Sequence, residues 1–375
     1  MNSVKKRVQD FQSKYIYQPD AFIKYMASIS FDKGIRFNHP LIITWDLVNY
    51  CNLNCYFCSA GTSSFKKQNS VIADYKKVLE FIDSCNPIYV TLRGGEPSIH
   101  PHFKEILKYL IEKNIFVEVV TNGSGITEEI VKIMSSANQD KIRIKISLDS
   151  SDKKINNDQR GEKSFDYALR ALCNLGRYQI KNVRVQMVIT ETNVNGIFEM
   201  YKFLHDYNVS SFGVTVMTPF GDSKGLDMIE FGDVIYEEMN NCIEMFNRKK
   251  KIRIEKNHLG YKNTLYDDKD YDYNLANRGF RIKCVAGNLK LNIDANGDIY
   301  PCDFLKFSNF KVGTIYDPFD EIWNCEKLVY LSNIERKDKK ECGSCKNKMC
   351  STGCMGNAYL RFNDILRKDP NCAYE

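Results

Sequence analysis

From residue 41 the chain alternates short β-type runs with amphipathic helical stretches. The β-type runs cover residues 41–45, 88–92, 115–120, 142–148, 183–189 and 212–217 and are rich in Ile, Val and other strand formers. Between them, residues 75–84, 103–114, 128–136, 165–178 and 197–207 repeat apolar positions at helical spacing. The order βαβαβαβαβαβ over residues 41–217 implies a parallel sheet joined by crossover helices. Six such units fit either an open doubly wound sheet or a partial barrel, and periodicity alone does not separate the two.

The flanks read differently. Residues 1–38 suggest short helices, an extension too small for a folded domain of its own. Val234, Ile235, Met239, Cys242, Ile243 and Phe246 recur at helical spacing, and the cations that follow (Arg248, Lys249, Lys250, Lys251, Arg253) suit a helix C-terminus. Residues 255–279 form a polar, Tyr- and Asp-rich segment read as a linker or loop. Beyond Cys284 cysteines become dense and helix signals sparse, which predicts a second domain organised around something other than a large apolar core. The division expected is an N-terminal helical extension (1–38), an α/β core (39–225), a helix and linker (226–283) and a cysteine-rich domain (284–375).

Composition narrows the function. Hydrophobic residues make up 43% and charged residues 27% of 375, a globular balance. With 53 basic against 47 acidic side chains the net charge of +6 calls for no nucleic-acid partner. The first twenty residues lack the apolar core of a signal peptide, and no eighteen-residue apolar run offers a membrane span, so the expected location is the cytoplasm. Thiols stay reduced there, so fourteen cysteines argue for metal ligation or catalysis rather than disulfides.

Cys51, Cys55 and Cys58 lie just beyond the first strand, separated by three and then two residues. Three loop thiolates can hold three corners of a [4Fe–4S] cubane and leave its fourth iron open to an exogenous ligand. Structural zinc closes with four ligands, and neither a nearby histidine nor a fourth close cysteine supplies one. The C-x3-C-x2-C spacing, with Phe57 before the last cysteine, resembles the radical S-adenosylmethionine (SAM) superfamily. The resemblance runs through residues 40–220 and implies a partial (β/α)6 TIM-type barrel, with SAM on the open iron.

Further positions carry over singly. Gly94, Gly95, Glu96 and Pro97 look like the family's GGEP turn, whose backbone meets the amino group of SAM. Glycine permits such close approach. Ser147 and Asp149 match a polar pair near the SAM ribose and carboxylate, and Arg160 matches a carboxylate clamp, a task suited to a two-pronged guanidinium. The resemblance also places Phe57 beside the adenine, Asn122 at the same mouth, and Met217 against the nucleoside. All these positions sit at C-terminal ends of expected strands, where barrel enzymes collect their chemistry.

The second cysteine array is Cys284, Cys302, Cys342, Cys345, Cys350, Cys354 and Cys372. It resembles the SPASM domain, an iron–sulfur extension of radical SAM enzymes, although Cys345 and Cys350 enclose four residues where five are usual. That resemblance implies two auxiliary [4Fe–4S] clusters, one on Cys284, Cys302 and Cys354 and the other on Cys342, Cys345, Cys350 and Cys372. The first is then one ligand short, which implies an open iron or a non-cysteine ligand. Cys85, Cys173, Cys242 and Cys325 match no ligand position and read as small hydrophobes. Asp303, directly after Cys302, resembles the catalytic general base of sulfatase-maturing relatives; a structural turn aspartate is the other reading of the same residue.

Together these features imply an enzyme that cleaves SAM reductively to a 5′-deoxyadenosyl radical and abstracts a substrate hydrogen, with a flavodoxin- or ferredoxin-type donor supplying low-potential electrons. Oxidation or cross-linking of a peptide or protein is the first expectation. A dehydrogenase, epimerase or decarboxylase of a small molecule such as an aminoglycoside is the second, favoured by the short N-terminus, which leaves no room for a leader-peptide-binding domain. A non-catalytic iron–sulfur or zinc protein is the third, but it has no use for a SAM pocket.

Overall fold

A computed structural model describes residues 36–62, 70–217, 221–223, 232–249, 251–257, 284–345, 352–370 and 372. Six parallel strands lie side by side in chain order: β1 (Ile42–Val48), β2 (Tyr89–Gly94), β3 (Phe116–Thr121), β4 (Ile142–Ser147), β5 (Val183–Ile189) and β6 (Ser211–Val216). A seventh, β7 (Arg253–Asn257), extends the sheet parallel to β6. On the other edge β8 (Lys290–Ile293) pairs parallel with β1, and β9 (Asp298–Tyr300) and β10 (Gly313–Thr314) follow antiparallel outside it.

This order resolves the choice between the two sheets. A doubly wound sheet reverses its strand order partway, whereas β1 to β7 advance without reversal. Right-handed crossovers then carry the connecting helices to one face, and the sheet curls into a partial barrel. Those helices are α1 (Tyr75–Cys85), α2 (Phe103–Glu112), α3 (Glu128–Ser136), α4 (Lys153–Arg160), α5 (Ser164–Arg177), α6 (Ile197–Phe203) and α7 (Gly232–Lys249). Asp74, Thr127 and Asp152 cap α1, α3 and α4 by accepting backbone N–H bonds.

Strand alternation sorts the side chains. Trp45, Leu92, Val119 and Ile144 face the helices and join Ile82 and Leu107 in one continuous apolar cluster. Each such buried side chain contributes about 2 kcal/mol. The opposite face is polar: Thr44 pairs with Thr91, Asp46 with Arg93, Thr91 with Glu118, and Glu118 with Arg143. Arg143 and Lys145 each stand 3.4 Å from the Glu118 carboxylate. The barrel therefore has a charged interior lined from its own strands.

Several elements depart from the sequence reading. Helix α4 carries no apolar stripe, because the residues it buries are Asn156, Gln159 and Arg160. The stretch 197–207 divides into α6 and a 3-10 turn over Leu204–Asp206. Strand β7 grows out of the cationic run after α7. Past Cys284 helices are present but short: α8 (Phe319–Trp323), α9 (Glu326–Asn333) and α10 (Met355–Phe362). Helix α7 buries Ile235, Met239 and Cys242 and carries Arg248 and Lys249 in its last turn. The extension at residues 1–35 and the linker at 258–283 lie outside the described residues. Among the described residues no helix is long and apolar enough to cross a membrane.

Candidate iron–sulfur and SAM site

The Cys51, Cys55 and Cys58 loop leaves the C-terminal end of β1 and is braced by the turn after β2. The Gly95 N–H donates to the Val48 carbonyl at 2.7 Å and the Glu96 N–H to that of Tyr50 at 3.1 Å. A Cβ on Gly95 would lie 1.9 Å from the Tyr50 oxygen, and one on Gly94, whose φ is +130°, 2.3 Å from that of Val48. The two glycines are thus required by close approach to the chain's own backbone, directly before Cys51, whatever ligand they also admit.

Glu96 is 1% exposed and fully engaged inside the protein. Its carboxylate accepts from the Thr121 hydroxyl at 2.5 Å, the Asn122 N–H at 2.6 Å, the Ser98 N–H at 3.1 Å and the Ser98 hydroxyl. Burial raises its carboxyl above the ordinary range even against those bonds. It ties the end of β2 to the end of β3 and caps the 3-10 turn that Pro97 opens. Asn122, so placed, donates to Asn52 at 3.0 Å and lies 3.7 Å from the Cys51 sulfur.

Arg160 and Asp149 form a buried pair. Arg160 Nη2 donates to Asp149 Oδ1 at 2.8 Å, and Nε stands 2.6 Å from Oδ2 in a pairing too bent for a hydrogen bond. The carboxylate that Arg160 holds in this structure is that of Asp149. Burial disfavours the guanidinium charge, but Asp149 and then Cys55 more than restore it. The Val188 N–H also donates to Asp149 at 2.9 Å, and Asn156 and Asn193 hold its backbone at 2.8 and 3.0 Å. The pair locks α4 to the ends of β4 and β5. Its reward is local: the Arg160 guanidinium lies 5.3 Å from the Phe57 ring centre, and the Arg160 carbonyl is 3.6 Å from the Cys55 sulfur.

The three thiols fit a metal cluster in their chemistry. Burial, then the charges of Glu96 and its fellow cysteines, push Cys51 up to about 12, and burial pushes Cys55 up to about 11. Such a pocket holds thiolates only when a metal supplies positive charge. The Leu53 N–H already points at the Cys51 sulfur at 3.4 Å, and Thr62 lies 3.4 Å from that of Cys58. Among the described residues no three Cys, His, Asp or Glu groups close around one ion; a cubane spreads its thiolates over separate corner irons. Ser147, at the end of β4, faces the barrel interior opposite Gln186, and half-buried Met217 directly follows β6.

The C-terminal cysteines separate into neighbourhoods. Burial raises Cys284, Cys302 and Cys354, and each of the latter two also feels Cys284. Cys342 and Cys345 share one turn, the Cys345 N–H donating to the Cys342 carbonyl at 3.2 Å. Cys372 is described, and Cys350 lies outside the described residues. Of the unassigned cysteines Cys85 and Cys242 are buried and Cys325 half-buried, but Cys173 is exposed.

Asp303 sits in a network of ion pairs. Its carboxylate is 3.0 Å from Arg93 Nη2 and 3.3 Å from Asn292 Nδ2, and it ion-pairs with Lys290. Burial alone would raise its pKa, yet Arg93 and Lys290 hold it well below the usual carboxylate range. A carboxylate so stabilised is a poor proton acceptor. Arg93 in turn binds Asp46 at 2.8 Å, and Asp46 also takes Lys306 at 2.5 Å. Asp303 is one strut of a network joining β1 and β2 to the Cys302 loop. Sequence reasoning missed Arg93 and Asn156; a charged residue directly before Gly94-Gly95, and polar residues at helical spacing before Arg160, were the available signals.

With this geometry in hand the comparisons with known proteins are specific. The radical SAM superfamily model matches residues 45–204, and an iron–sulfur cluster-binding domain model, SPASM, matches residues 284–351. The chain is 26% identical over 351 residues to the mycofactocin maturase MftC of Mycobacterium tuberculosis, covering 91% of this chain and 84% of that one. It is 26% identical over 352 residues to the AdoMet-dependent heme synthase of Methanosarcina barkeri, covering 90% and 97%. Streptococcus suis SuiB bound to S-adenosylmethionine superposes with a TM-score of 0.71 at 20% identity over 92% of this chain and 80% of that one. Residues 45–204 thus form a radical SAM domain and residues 284–351 a SPASM iron–sulfur domain, and the chain is an enzyme of SAM and a [4Fe–4S] cluster.

Proposed function

We propose that this enzyme matures a peptide or protein by abstracting a hydrogen and oxidising or cross-linking the residue left behind. When bound, SAM and the cluster on Cys51, Cys55 and Cys58 supply the 5′-deoxyadenosyl radical. The chain's own groups position the reactants. Phe57, Asn122, Ser147, Met217 and the backbone of the Gly94-Gly95-Glu96-Pro97 turn are the residues proposed to border SAM. The Asp149–Arg160 pair and the Glu96 carboxylate act behind them as positioning groups. Cys284, Cys302 and Cys354 are proposed to hold one auxiliary cluster, and Cys342, Cys345, Cys350 and Cys372 the other.

The observation that carries the peptide reading is the co-extension of this chain with a maturase through both domains. In support, SuiB has been crystallised with its precursor peptide, and an interior lined by Arg93, Lys145 and Glu118 suits a polar main chain better than an apolar ligand. A flavodoxin- or ferredoxin-type donor and a cytoplasmic setting fit the low-potential chemistry and the number of reduced thiols. The experiment incubates reconstituted enzyme with SAM, reductant and short peptides encoded beside its gene. 5′-Deoxyadenosine together with a peptide that has lost hydrogen supports the reading; 5′-deoxyadenosine with every peptide unchanged counts against it.

The heme synthase relative favours a second reading, a small-molecule substrate, because 97% of that chain aligns here. The same assay separates the two: turnover of a heme precursor, with peptides inert, would favour it.

A further inference from the structure

Among the described residues Lys339 is the only buried lysine, 2% exposed in a domain with little apolar core. Its ammonium donates to the Arg367 carbonyl at 2.8 Å. One carbonyl is poor compensation for a buried cation, whose desolvation costs several kcal/mol. The Lys339 carbonyl accepts from the Cys342 N–H at 3.3 Å. Two residues beyond Arg367, Asp369 is 4% exposed. Its carboxylate accepts from the Cys354 N–H at 2.8 Å, and its carbonyl from the Cys372 N–H at 2.9 Å. Cys354 belongs to one proposed ligand set and Cys342 and Cys372 to the other, so Lys339 and Asp369 stand at the junction of both. Burial lowers the pKa of the Lys339 ammonium, and the charges of Cys342, Asp369, Cys284 and Cys354 act against that burial.

We infer that Lys339 is a shared counter-charge for the two auxiliary clusters, and that Asp369 positions a ligand of each. The inference rests on the two-cluster reading above. Reducing a cluster adds one negative charge, and a buried cation nearby stabilises the reduced form through a low-dielectric interior, raising the reduction potential. One cation between two clusters raises both. It also lessens their mutual repulsion, easing passage of an electron from one to the other. Lys339 is on this view a positioning and tuning residue, remote from substrate.

The test is an EPR-monitored redox titration of the full, reconstituted enzyme, with iron counted per chain. Lys339→Gln should move both auxiliary midpoints to more negative values and leave the Cys51, Cys55, Cys58 cluster and its uncoupled SAM cleavage unchanged. Lys339→Arg should stay near native. Asp369→Asn removes a negative charge from the same junction while its amide oxygen can still accept from Cys354, and should move the midpoints the other way. Full iron with unmoved potentials in Lys339→Gln overturns the inference, as does an equal shift in Lys339→Arg. If Lys339→Gln loses its clusters, the upward shift in Asp369→Asn decides, and its absence overturns the inference. Native enzyme with zinc, or with a single cluster's iron, instead removes the two-cluster reading itself.

Discussion

Behind Cys51, Cys55 and Cys58 stands a continuous apolar core, and the loop is held by buried side chains just beyond strand ends, Glu96, Asn122 and Asp149, and by Arg160 at the end of α4. Around Cys284, Cys302 and Cys354 the apolar support is a small cluster of Ala286, Leu305, Phe310, Leu331, Ile334 and Met355, against which two of the thiols themselves pack. The first site is a preorganised receptor that would keep its shape without iron. The second should depend on the metal for its own folding, because its thiols take the place that a core occupies elsewhere. One region starts the chemistry and the other is stabilised by its clusters.

The largest expected effects separate these two dependences. Replacing Cys51, Cys55 and Cys58 together by Ala should abolish 5′-deoxyadenosine formation while iron falls from roughly twelve to roughly eight per chain, three clusters becoming two. The melting temperature should barely change. Replacing Cys284, Cys302 and Cys354 should instead lower the melting temperature sharply and broaden the unfolding transition. Equal thermal losses in both triple variants would break the distinction. Within the barrel, Arg160→Met strands a buried Asp149 carboxylate and should cost about 3–5 kcal/mol. A shift in the denaturation midpoint much smaller than that would mean that the pair does not brace α4.

The sequence made the barrel legible where apolar residues alternate with helical stripes, and the cysteine spacing made the chemistry legible. It concealed whatever buries polar groups. Helix α4 has no apolar face, so periodicity passed over it, yet it delivers Arg160 to Asp149 and to Phe57. Arg160, Asp149 and Asp303 were visible as charged residues in family positions; that Arg160 pairs with Asp149 beyond β4, and Asp303 with Arg93 of β2 and Lys290 of β8, was not. Only the fold says whether a charge is offered to a ligand or neutralised at home. Lys339 is the extreme case, a lysine that no motif in the sequence marks and that the fold buries completely.

A subtler probe of the preorganised site is Gly95→Ala. The added methyl would meet the Tyr50 carbonyl at 1.9 Å, so the turn or the segment carrying Cys51 must shift, an overpacking strain of about 1–3 kcal/mol. Stability should fall by that amount, and SAM cleavage per iron should fall much further, because displacement is directed at the cluster loop. A variant that cleaves SAM normally would show that the close approach of the two backbones does not set the loop.

The smallest effect concerns the network between the two regions. Asp303 has a depressed pKa in the folded protein, so its contribution to stability is complete above the unfolded value, about 3.9, and is lost as pH falls through the lower folded value. Asp303→Asn leaves Arg93 and Lys290 without their shared carboxylate and should lower stability by about 1–3 kcal/mol. The gap between native and variant melting temperatures should be constant from pH 5 to 8 and narrow only below about pH 4. If Asp303 were instead a general base of ordinary pKa, native turnover would show an acid limb near that value which the variant lacks. Matching pH profiles, with a lower but parallel rate in the variant, identify Asp303 as a strut between barrel and auxiliary site; a missing limb would return it to the chemistry.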